Sequence, residues 1–152
     1  MELLFRFLCY GLIGWVVEIV WTAGKGAVFA PAGVRGRWAL AGRTYLWMFP
    51  IYGLLVFLYE PMHEALRATA WPLRALAYAA GILAVEYVSG WLLRRVTGAC
   101  PWDYATRPSP SRWQVHGLIR LDYAPAWALL GLVLEPVHDF LVRVGPAVLG
   151  TL

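Results

Sequence analysis

Charged residues are scarce in this chain: Asp, Glu, Lys and Arg make up 14% of its 152 residues. Hydrophobic residues account for 61%, tryptophan occurs 9 times, and the mean hydropathy is +0.60. A soluble domain needs more polar surface than this composition supplies, whereas several membrane-crossing segments would account for it. The composition therefore predicts a polytopic membrane protein and excludes an ordinary soluble domain.

The chain also has only two cysteines, and it lacks nucleotide-binding motifs. The two cysteines, Cys9 and Cys100, fall at opposite ends of a predicted helical hairpin, so we expect no disulfide between them. Their spacing does not match a metal site. The sequence has no P-loop, no dinucleotide-binding glycine pattern and no Ser/His/Asp constellation. We therefore assign no catalytic residue and expect no cofactor.

Four apolar stretches are long enough to cross a bilayer, which takes about 20 helical residues. They are residues 3–23, 44–64, 72–93 and 123–142. Lipid offers no partners for unpaired backbone groups, so helices are the expected spanning form. Glu18 interrupts the first stretch, which we therefore interpret as a retained span and not a signal peptide. We predict an all-α fold with four transmembrane helices in a single membrane domain, residues 1–152, with loops at 24–43 and 94–122.

Two segments of the chain are similar at a shift of 75 residues. PIYGLLVFLYEPMHE at 50–64 and PAWALLGLVLEPVHD at 125–139 share a proline, two leucines and an E-P-x-H-acid ending. Upstream, VVEIV and AVEYV each place one glutamate inside an apolar run. We therefore predict an internal duplication, with repeat one at about 3–67 and repeat two at about 72–143. Because each repeat holds two spans, the two helical hairpins should run parallel to each other.

Basic residues are unevenly distributed between the two faces of this predicted bundle. With four spans, the face that holds both long loops carries 9 of the 13 Lys and Arg residues, and the face with the termini carries 4. The positive-inside rule then places both long loops in the cytoplasm. The same arginines are also candidates for ligand binding, so their distribution has two explanations.

Glu18 and Glu86 are acids inside predicted membrane helices. A charged carboxylate at such a depth costs about 3 kcal/mol, so it usually faces the bundle interior and has a partner or a function. Counting residues from the predicted helix ends places both at similar depth, near the arginine-rich face. They therefore either brace the bundle or form a shared site. The expected partners are Arg43, Tyr52, Tyr104 and Arg120.

The repeated E-P-x-H motif contains the residue types of a metal site. Glu60 with His63 and Glu135 with His138, together with one glutamate on each of two other helices, match the inventory of a di-iron carboxylate bundle. However, Glu60 follows the start of its predicted helix by about 25 Å, which separates it in depth from Glu18. We therefore interpret the motifs as interfacial helix ends whose histidines and acids reach water. A metal site at these four residues is the minor alternative.

A polar aromatic segment lies on the long-loop face. ACPWDY at 99–104 follows the third predicted helix, and HGLIRLDYAPAW at 116–127 leads into the fourth. Trp102, Asp103 and Tyr104 supply an indole N–H, a carboxylate and a phenol beside several arginines. This segment is either an interfacial aromatic belt or a binding site over the ends of the helices.

These motifs, with FPIYG at 49–53 and the G-W-x-x-E that begins at Gly14, resemble the transmembrane protein 229 family and its bacterial relatives labelled ABC-transporter permeases. The likeness runs from residue 10 to about residue 135. It implies a small multi-pass membrane protein whose transporter label rests on analogy. The family pattern falls on Trp15, Glu18, Pro50, Tyr52, Gly53, Glu86, Trp102, Asp103, Tyr104 and Gly117. The chain departs from it at Ala105, where a serine often follows the tyrosine, and in its E-P-x-H histidines.

Three functions fit these features. We favour a transport-like role, or the binding of a small molecule or lipid headgroup, through the intramembrane carboxylates. In an intramembrane enzyme, the same carboxylates with Asp103 and Tyr104 would act as acid and base on a lipid-like substrate. In a scaffold or assembly protein, faces of small residues would dock other membrane proteins.

The favoured function defines the candidate binding residues and partners. The candidate binding residues are Glu18, Glu86, Pro50, Tyr52, Trp102, Asp103, Tyr104, Arg43 and Arg120. The expected partners are the lipid bilayer and either further copies of this chain or other membrane subunits, with no nucleic acid. The expected location is the bacterial inner membrane.

Overall fold

The computed structural model describes residues 1–29, 37–106 and 111–150, and most of them are helical. The helices are α1 (Glu2–Phe29), α2 (Met48–Gly53), α3 (Leu55–Leu66), α4 (Trp71–Thr97) and α5 (Ala124–Leu149). Between α4 and α5 lie two short antiparallel strands, β1 (Gln114–Val115) and β2 (Ile119–Arg120), and 3-10 turns occur at Arg37–Ala39 and Leu121–Tyr123. The predicted all-α fold is confirmed in part, because the described residues are mostly helical but include this two-stranded hairpin.

Three helices among the described residues are long and apolar enough to cross a membrane, namely Glu2–Phe29, Trp71–Thr97 and Leu121–Leu149. Helix α1 shows the expected lipid-facing surface, since a stripe of large apolar side chains at four-residue spacing is exposed. The stripe consists of Leu4, Leu8, Leu12, Val16 and Val20. A continuous apolar face of this size is stable against lipid and unfavourable in water. The chain therefore has the helices of a membrane protein.

The second predicted span, residues 44–64, is not one continuous helix. Helix α2 ends at Gly53, Leu54 forms a turn, and α3 begins at the next residue. Pro50 and Gly53 weaken a helix here, because proline lacks a backbone donor and glycine loses more entropy on ordering than other residues. Of the four predicted spans, three correspond to helices that are long and apolar enough to cross a membrane, and this one consists of two shorter helices.

Helix α1 is longer than the sequence indicated. It continues to Phe29, so the first two glycines of the loop predicted at 24–43 are helical. Ala23 and Ala27, four residues apart on one face, are both buried. Because packing of a helix face outweighs the low intrinsic propensity of glycine, the helix continues through this region.

The ends of α4 follow local sequence rules. The helix begins at Trp71 with Pro72 in its first turn, where the missing backbone donor costs nothing. It ends at Gly98, which adopts a left-handed φ of 81° and donates its backbone N–H to the carbonyl of Arg94 at 3.0 Å. This turn starts the segment that contains Trp102, Asp103 and Tyr104.

The chain divides into two compact units, Met1–Val56 joined by the residues from Leu149 onward, and Phe57–Val148. This division falls within α3 and differs from the boundaries of the predicted repeats. The internal duplication and the single membrane domain with its two repeats therefore stay predictions.

Within the first unit, aromatic side chains of α2 pack against glycines of α1. The ring of Phe49 lies against Gly11, where an added Cβ would approach it to 2.8 Å, and the ring of Tyr52 covers Gly14 so closely that a Cβ would overlap it. Trp15 and Phe49 also contact each other with ring centroids 5.0 Å apart. The G-W-x-x-E and FPIYG motifs therefore form one packing interface.

Within the second unit, α3, α4 and α5 meet around Tyr59 and Tyr78. The Tyr59 hydroxyl donates to the carbonyl of Gly131 at 2.6 Å, and the Tyr78 side chain packs directly on the same glycine. Both tyrosines are fully buried. Because Gly131 has no side chain, the tyrosine of α4 can reach the backbone of α5.

Candidate functional site

Glu86 lies on α4 and is hydrogen-bonded by a tyrosine of the segment that follows the helix. The Tyr104 hydroxyl donates to Glu86 Oε1 at 2.7 Å. Glu86 stands eleven residues before the helix end at Thr97, which is about 16 Å at 1.5 Å per residue. The sequence-based expectation that a glutamate lies within reach of a tyrosine or arginine is met by this pair.

The segment that carries Tyr104 is fastened to the β-hairpin. Trp102 is 6% exposed, and its indole N–H donates to the carbonyl of Leu118 at 3.0 Å. The backbone N–H of Tyr104 donates to the carbonyl of Gly117 at 2.8 Å. Gly117 has a left-handed φ of 72°, which glycine adopts at the least cost. Trp102 and Gly117 thus fix the backbone that presents the Tyr104 hydroxyl to Glu86.

Asp103 holds the same segment in place. Its Oδ1 accepts the backbone N–H of Ala105 at 2.8 Å, and its Oδ2 lies 3.6 Å from Arg94 Nη2. Arg94 also donates to the carbonyl of His116 at 2.9 Å. Because the contact at position 105 uses a backbone group, alanine there supports it although the family pattern often has serine.

Arg120 completes this group of residues. Its guanidinium pairs with Asp122, with Nε 3.1 Å from Oδ1, and lies 4.4 Å from the ring centroid of Tyr123 and 5.9 Å from that of Tyr104. The hydrogen bonds to Asp122 raise the pKa of Arg120, so it remains charged. A cation over aromatic faces stabilises the rings by about 0.5–2 kcal/mol. The structure therefore brings Glu86, Tyr104 and Arg120 together.

Glu18 has a corresponding arrangement within the first unit. The Thr44 hydroxyl donates to Glu18 Oε2 at 2.6 Å. Beside it, the backbone N–H and carbonyl of Arg43 are both hydrogen-bonded to the Thr22 hydroxyl, at 2.8 and 2.9 Å. Glu18 lies within α1, eleven residues before Phe29, the last residue of that helix in the described part of the chain. Sequence reasoning missed Thr44, although its hydroxyl next to a predicted partner was an available signal.

The remaining predicted site residues of the first unit have packing roles. Tyr52 covers Gly14, as described above, and Pro50 is exposed in the first turn of α2. The Trp15 indole donates to the carbonyl of Tyr45 at 3.1 Å. These contacts hold the segment before α2 against α1. A site shared between Glu18 and Glu86 stays a prediction.

The E-P-x-H motifs form a second polar cluster, which the sequence placed at helix ends. His63 and His138 are each 3% exposed, and their ring centroids are 5.2 Å apart. Helix α5 continues past Pro136 to Leu149. The expectation of a helix end holds for the first motif, because His63 lies in the last turn of α3, and the acids that end the motifs, Glu64 and Asp139, are about half-exposed. It is wrong for the second motif, which lies within α5, and both histidines are buried instead of reaching water. Apolar residues continue along α5 beyond the second motif, so Pro136 is accommodated within the helix. The histidine of that motif, His138, faces His63 of α3.

Charged and polar partners surround the two histidines. Each histidine has an acid of the other motif near each of its nitrogens. His63 Nδ1 lies 3.9 Å from Glu135 and Nε2 lies 3.8 Å from Asp139, while His138 Nδ1 lies 3.4 Å from Glu60 and Nε2 lies 3.1 Å from Glu64. One ligand atom from each of His63, Glu64 and His138 can be chosen so that all lie within 4.8 Å of one another. The structure therefore brings together the four residues of the alternative metal site, Glu60, His63, Glu135 and His138, and adds Glu64 to them.

Two arginines anchor the acids of this cluster. Arg74 donates two hydrogen bonds to Glu135, at 2.7 and 3.0 Å. Arg67 donates to Glu64 at 2.9 Å and to Asp139, and these hydrogen bonds raise the pKa of Arg67. Bidentate pairing fixes the orientation of a carboxylate as well as its charge. In the sequence analysis, Arg67 and Arg74 entered only the count of basic residues on the face that holds the termini.

Comparison with known proteins places the chain in a family. No solved structure matches it. The model of the family described as Putative ABC-transporter type IV matches residues 5–147. This match supports the bacterial part of the resemblance and does not support its transmembrane protein 229 part. Because the match covers nearly the whole chain, the protein belongs to this family of ABC-transporter-related membrane proteins.

Proposed function

We propose that this protein has a transport-like role in which Glu86 binds a proton or a cation during movement of a small or lipid-like substrate. The observation that carries the proposal is the 2.7 Å hydrogen bond from Tyr104 to a carboxylate eleven residues inside a membrane-length helix. An acid at such a position is costly to insert and is usually retained for a function. Family membership supports the same class of function.

The tyrosine partner of Glu86 favours a site that changes its protonation or occupancy over a purely structural role for this glutamate. A phenol hydrogen bond stabilises a carboxylate without neutralising its charge. Tyr104 belongs to the segment between α4 and α5, not to a neighbouring long helix. Protonation of Glu86 or capture of a cation would therefore change the hydrogen bond of the Tyr104 side chain, while Trp102 and Gly117 hold the backbone of this segment. The Glu18 and Thr44 pair provides the equivalent group in the first unit.

The contacts of Asp103 bear on the enzyme hypothesis. Both carboxylate oxygens are used within the protein, one by the backbone of Ala105 and one by Arg94. This arrangement is typical of an acid that holds a loop and does not favour an acid–base role for Asp103. The scaffold hypothesis survives if the two glutamates prove dispensable.

Coupling and location follow from the same proposal. The 152 residues contain no nucleotide-binding motif, so the membrane helices do not themselves bind ATP in this proposal. We place the protein in the bacterial inner membrane with both long loops in the cytoplasm, because most of its arginines belong to those loops. The substrate would then approach the Tyr104 segment from the cytoplasmic side.

Replacement of both glutamates tests the proposal. Glu18→Gln with Glu86→Gln keeps a hydrogen-bond acceptor but removes the charge, so the variant should fold at least as well as the parent. We expect it to fail to complement a deletion strain while its melting temperature in detergent is unchanged or higher. The matched control is Glu2→Gln, an exposed acid in the first turn of α1, which should complement fully. Full complementation by the double variant would eliminate both the transport and the acid–base hypotheses and leave the scaffold.

A further inference from the structure

We propose that His63, His138 and Glu64 bind a divalent transition-metal ion such as Zn²⁺, with Asp139 as a fourth ligand. This site lies apart from Glu86, since its α4 residue, Tyr78, precedes Glu86 by about two helical turns. Two imidazoles and two carboxylates are a ligand set that suits Zn²⁺ and its neighbours in the first transition series. The proposal does not depend on the transport-like role.

The Nε2 atom of each imidazole faces the acid that ends the opposite motif. His138 Nε2 lies 3.1 Å from Glu64 Oε1, and His63 Nε2 lies 3.8 Å from Asp139 Oδ1. Nε2 of His63 is buried and makes no hydrogen bond within the described part of the chain. A buried nitrogen without a hydrogen bond is costly, and a metal ion would satisfy it.

The hydrogen-bond chain behind His63 sets its tautomer. Arg74 orients Glu135, and the Tyr78 hydroxyl donates its proton to Glu135 Oε1 at 3.0 Å. The same hydroxyl lies 2.9 Å from His63 Nδ1 and must accept there, so Nδ1 carries the hydrogen. In the neutral ring, Nε2 then presents a lone pair. An outer polar partner of this kind is the usual support of a metal-bound histidine.

His138 has the same kind of support from the other motif. Its Nδ1 faces Glu60, 3.4 Å away and buried, so a hydrogen on Nδ1 points at a carboxylate when Nε2 binds a metal. Glu60 and Glu135 therefore lie behind the histidines and not beside the ion. This arrangement predicts a single ion, in contrast to the di-iron bundle, in which those glutamates would be direct ligands.

The exposed side of the cluster provides access and favourable charge. The side chains of Glu64 and Asp139 are 54% and 51% exposed, and the Arg67 guanidinium contacts both. Arg67 is itself half-exposed, and a long flexible side chain can rotate away at little cost. Its guanidinium now neutralises the two carboxylates, and in our proposal a metal ion replaces it in that role.

The test uses the full chain in detergent, stripped with a chelator and titrated with Zn²⁺ by calorimetry. We expect one ion per chain, and Co²⁺ in its place should give visible absorption bands with imidazole ligation. His63→Asn and His138→Asn should abolish binding. Glu64→Gln, an exposed change that does not threaten folding, removes a direct ligand and should weaken binding by more than the roughly 10- to 100-fold that loss of an outer partner costs. The control is His116→Asn, which removes the exposed third histidine, where asparagine tolerates the φ of 53°.

The possible outcomes decide the proposal. Loss of binding in the two histidine variants, weakening by Glu64→Gln and full binding by His116→Asn would support the site. Absence of stoichiometric Zn²⁺ binding by the parent would overturn it, as would equal affinity in parent and Glu64→Gln. If a histidine variant fails to fold, the affinities of the parent and Glu64→Gln are still sufficient to support or overturn the site.

Discussion

The hydroxyl of Tyr104 donates a 2.7 Å hydrogen bond to Glu86, a carboxylate deep within α4. In the other unit, Thr44 donates a 2.6 Å hydrogen bond to Glu18 of α1. In both cases a hydroxyl from the segment after a long helix reaches an acid within that helix. Each of these two long helices therefore carries an acid that is held by a hydroxyl from the segment that follows it.

Tyr104→Phe should separate function from stability. The change removes one hydrogen bond to a carboxylate, which costs about 1–3 kcal/mol in stability. If the hydroxyl controls Glu86, complementation should fall sharply while the protein still folds in detergent. Tyr87→Phe is the control, because its hydroxyl lies 2.9 Å from the exposed His116 and not from Glu86. Equal complementation by both variants would contradict the role assigned to Tyr104.

Gly14→Ala should destabilise the first unit. An added Cβ would overlap the ring of Tyr52, and overpacking of this kind costs about 1–3 kcal/mol. Gly24→Ala is the matched control on the same helix, because nothing lies within 4 Å of its Cβ position. It should leave the melting temperature unchanged or raise it, since alanine favours helix more than glycine. A comparable loss in both variants would show that Gly14 and Tyr52 are not in contact.

Tyr78→Phe should destabilise the histidine cluster more than Tyr59→Phe. Loss of the Tyr78 hydroxyl leaves both His63 Nδ1 and Glu135 Oε1 without that partner, at a cost of about 2 kcal/mol or more. The Tyr59 hydroxyl donates to a helix carbonyl, that of Gly131, so its removal should cost about 1 kcal/mol. Melting temperatures of the two buried tyrosine variants, compared in one detergent, check the order.

Cysteine labelling should establish how often the chain crosses the membrane. If α2 and α3 together span it, Ala41→Cys and Thr106→Cys will react with an impermeant maleimide from the same side, which we expect to be the cytoplasm. If only the three long helices cross, the two positions will be labelled from opposite sides. The native cysteines should give little background, because Cys100 is buried and burial raises the pKa of its thiol, while Cys9 lies within α1.

The sequence by itself determined the class of protein and most helix positions. Low charge and long apolar stretches predict membrane helices whatever the packing, and local signals such as Trp71-Pro72 define a helix start because they act through neighbouring backbone groups. The sequence also identified Glu86 and Tyr104 as candidates, since an acid in an apolar helix is recognisable without a partner. It missed the break at Leu54, where proline, glycine and packing against α1 act together.

Only the tertiary structure decided which polar groups meet. Counting residues along an assumed continuous helix placed both histidines in water, because linear distance contains no information about which faces of α3, α4 and α5 are in contact. Packing buried His63 and His138 side by side and joined them to acids of the opposite motif. Hydrogen bonds between residues more than fifty positions apart, such as the one from Tyr78 to Glu135, depend on that packing. A single sequence does not reveal them.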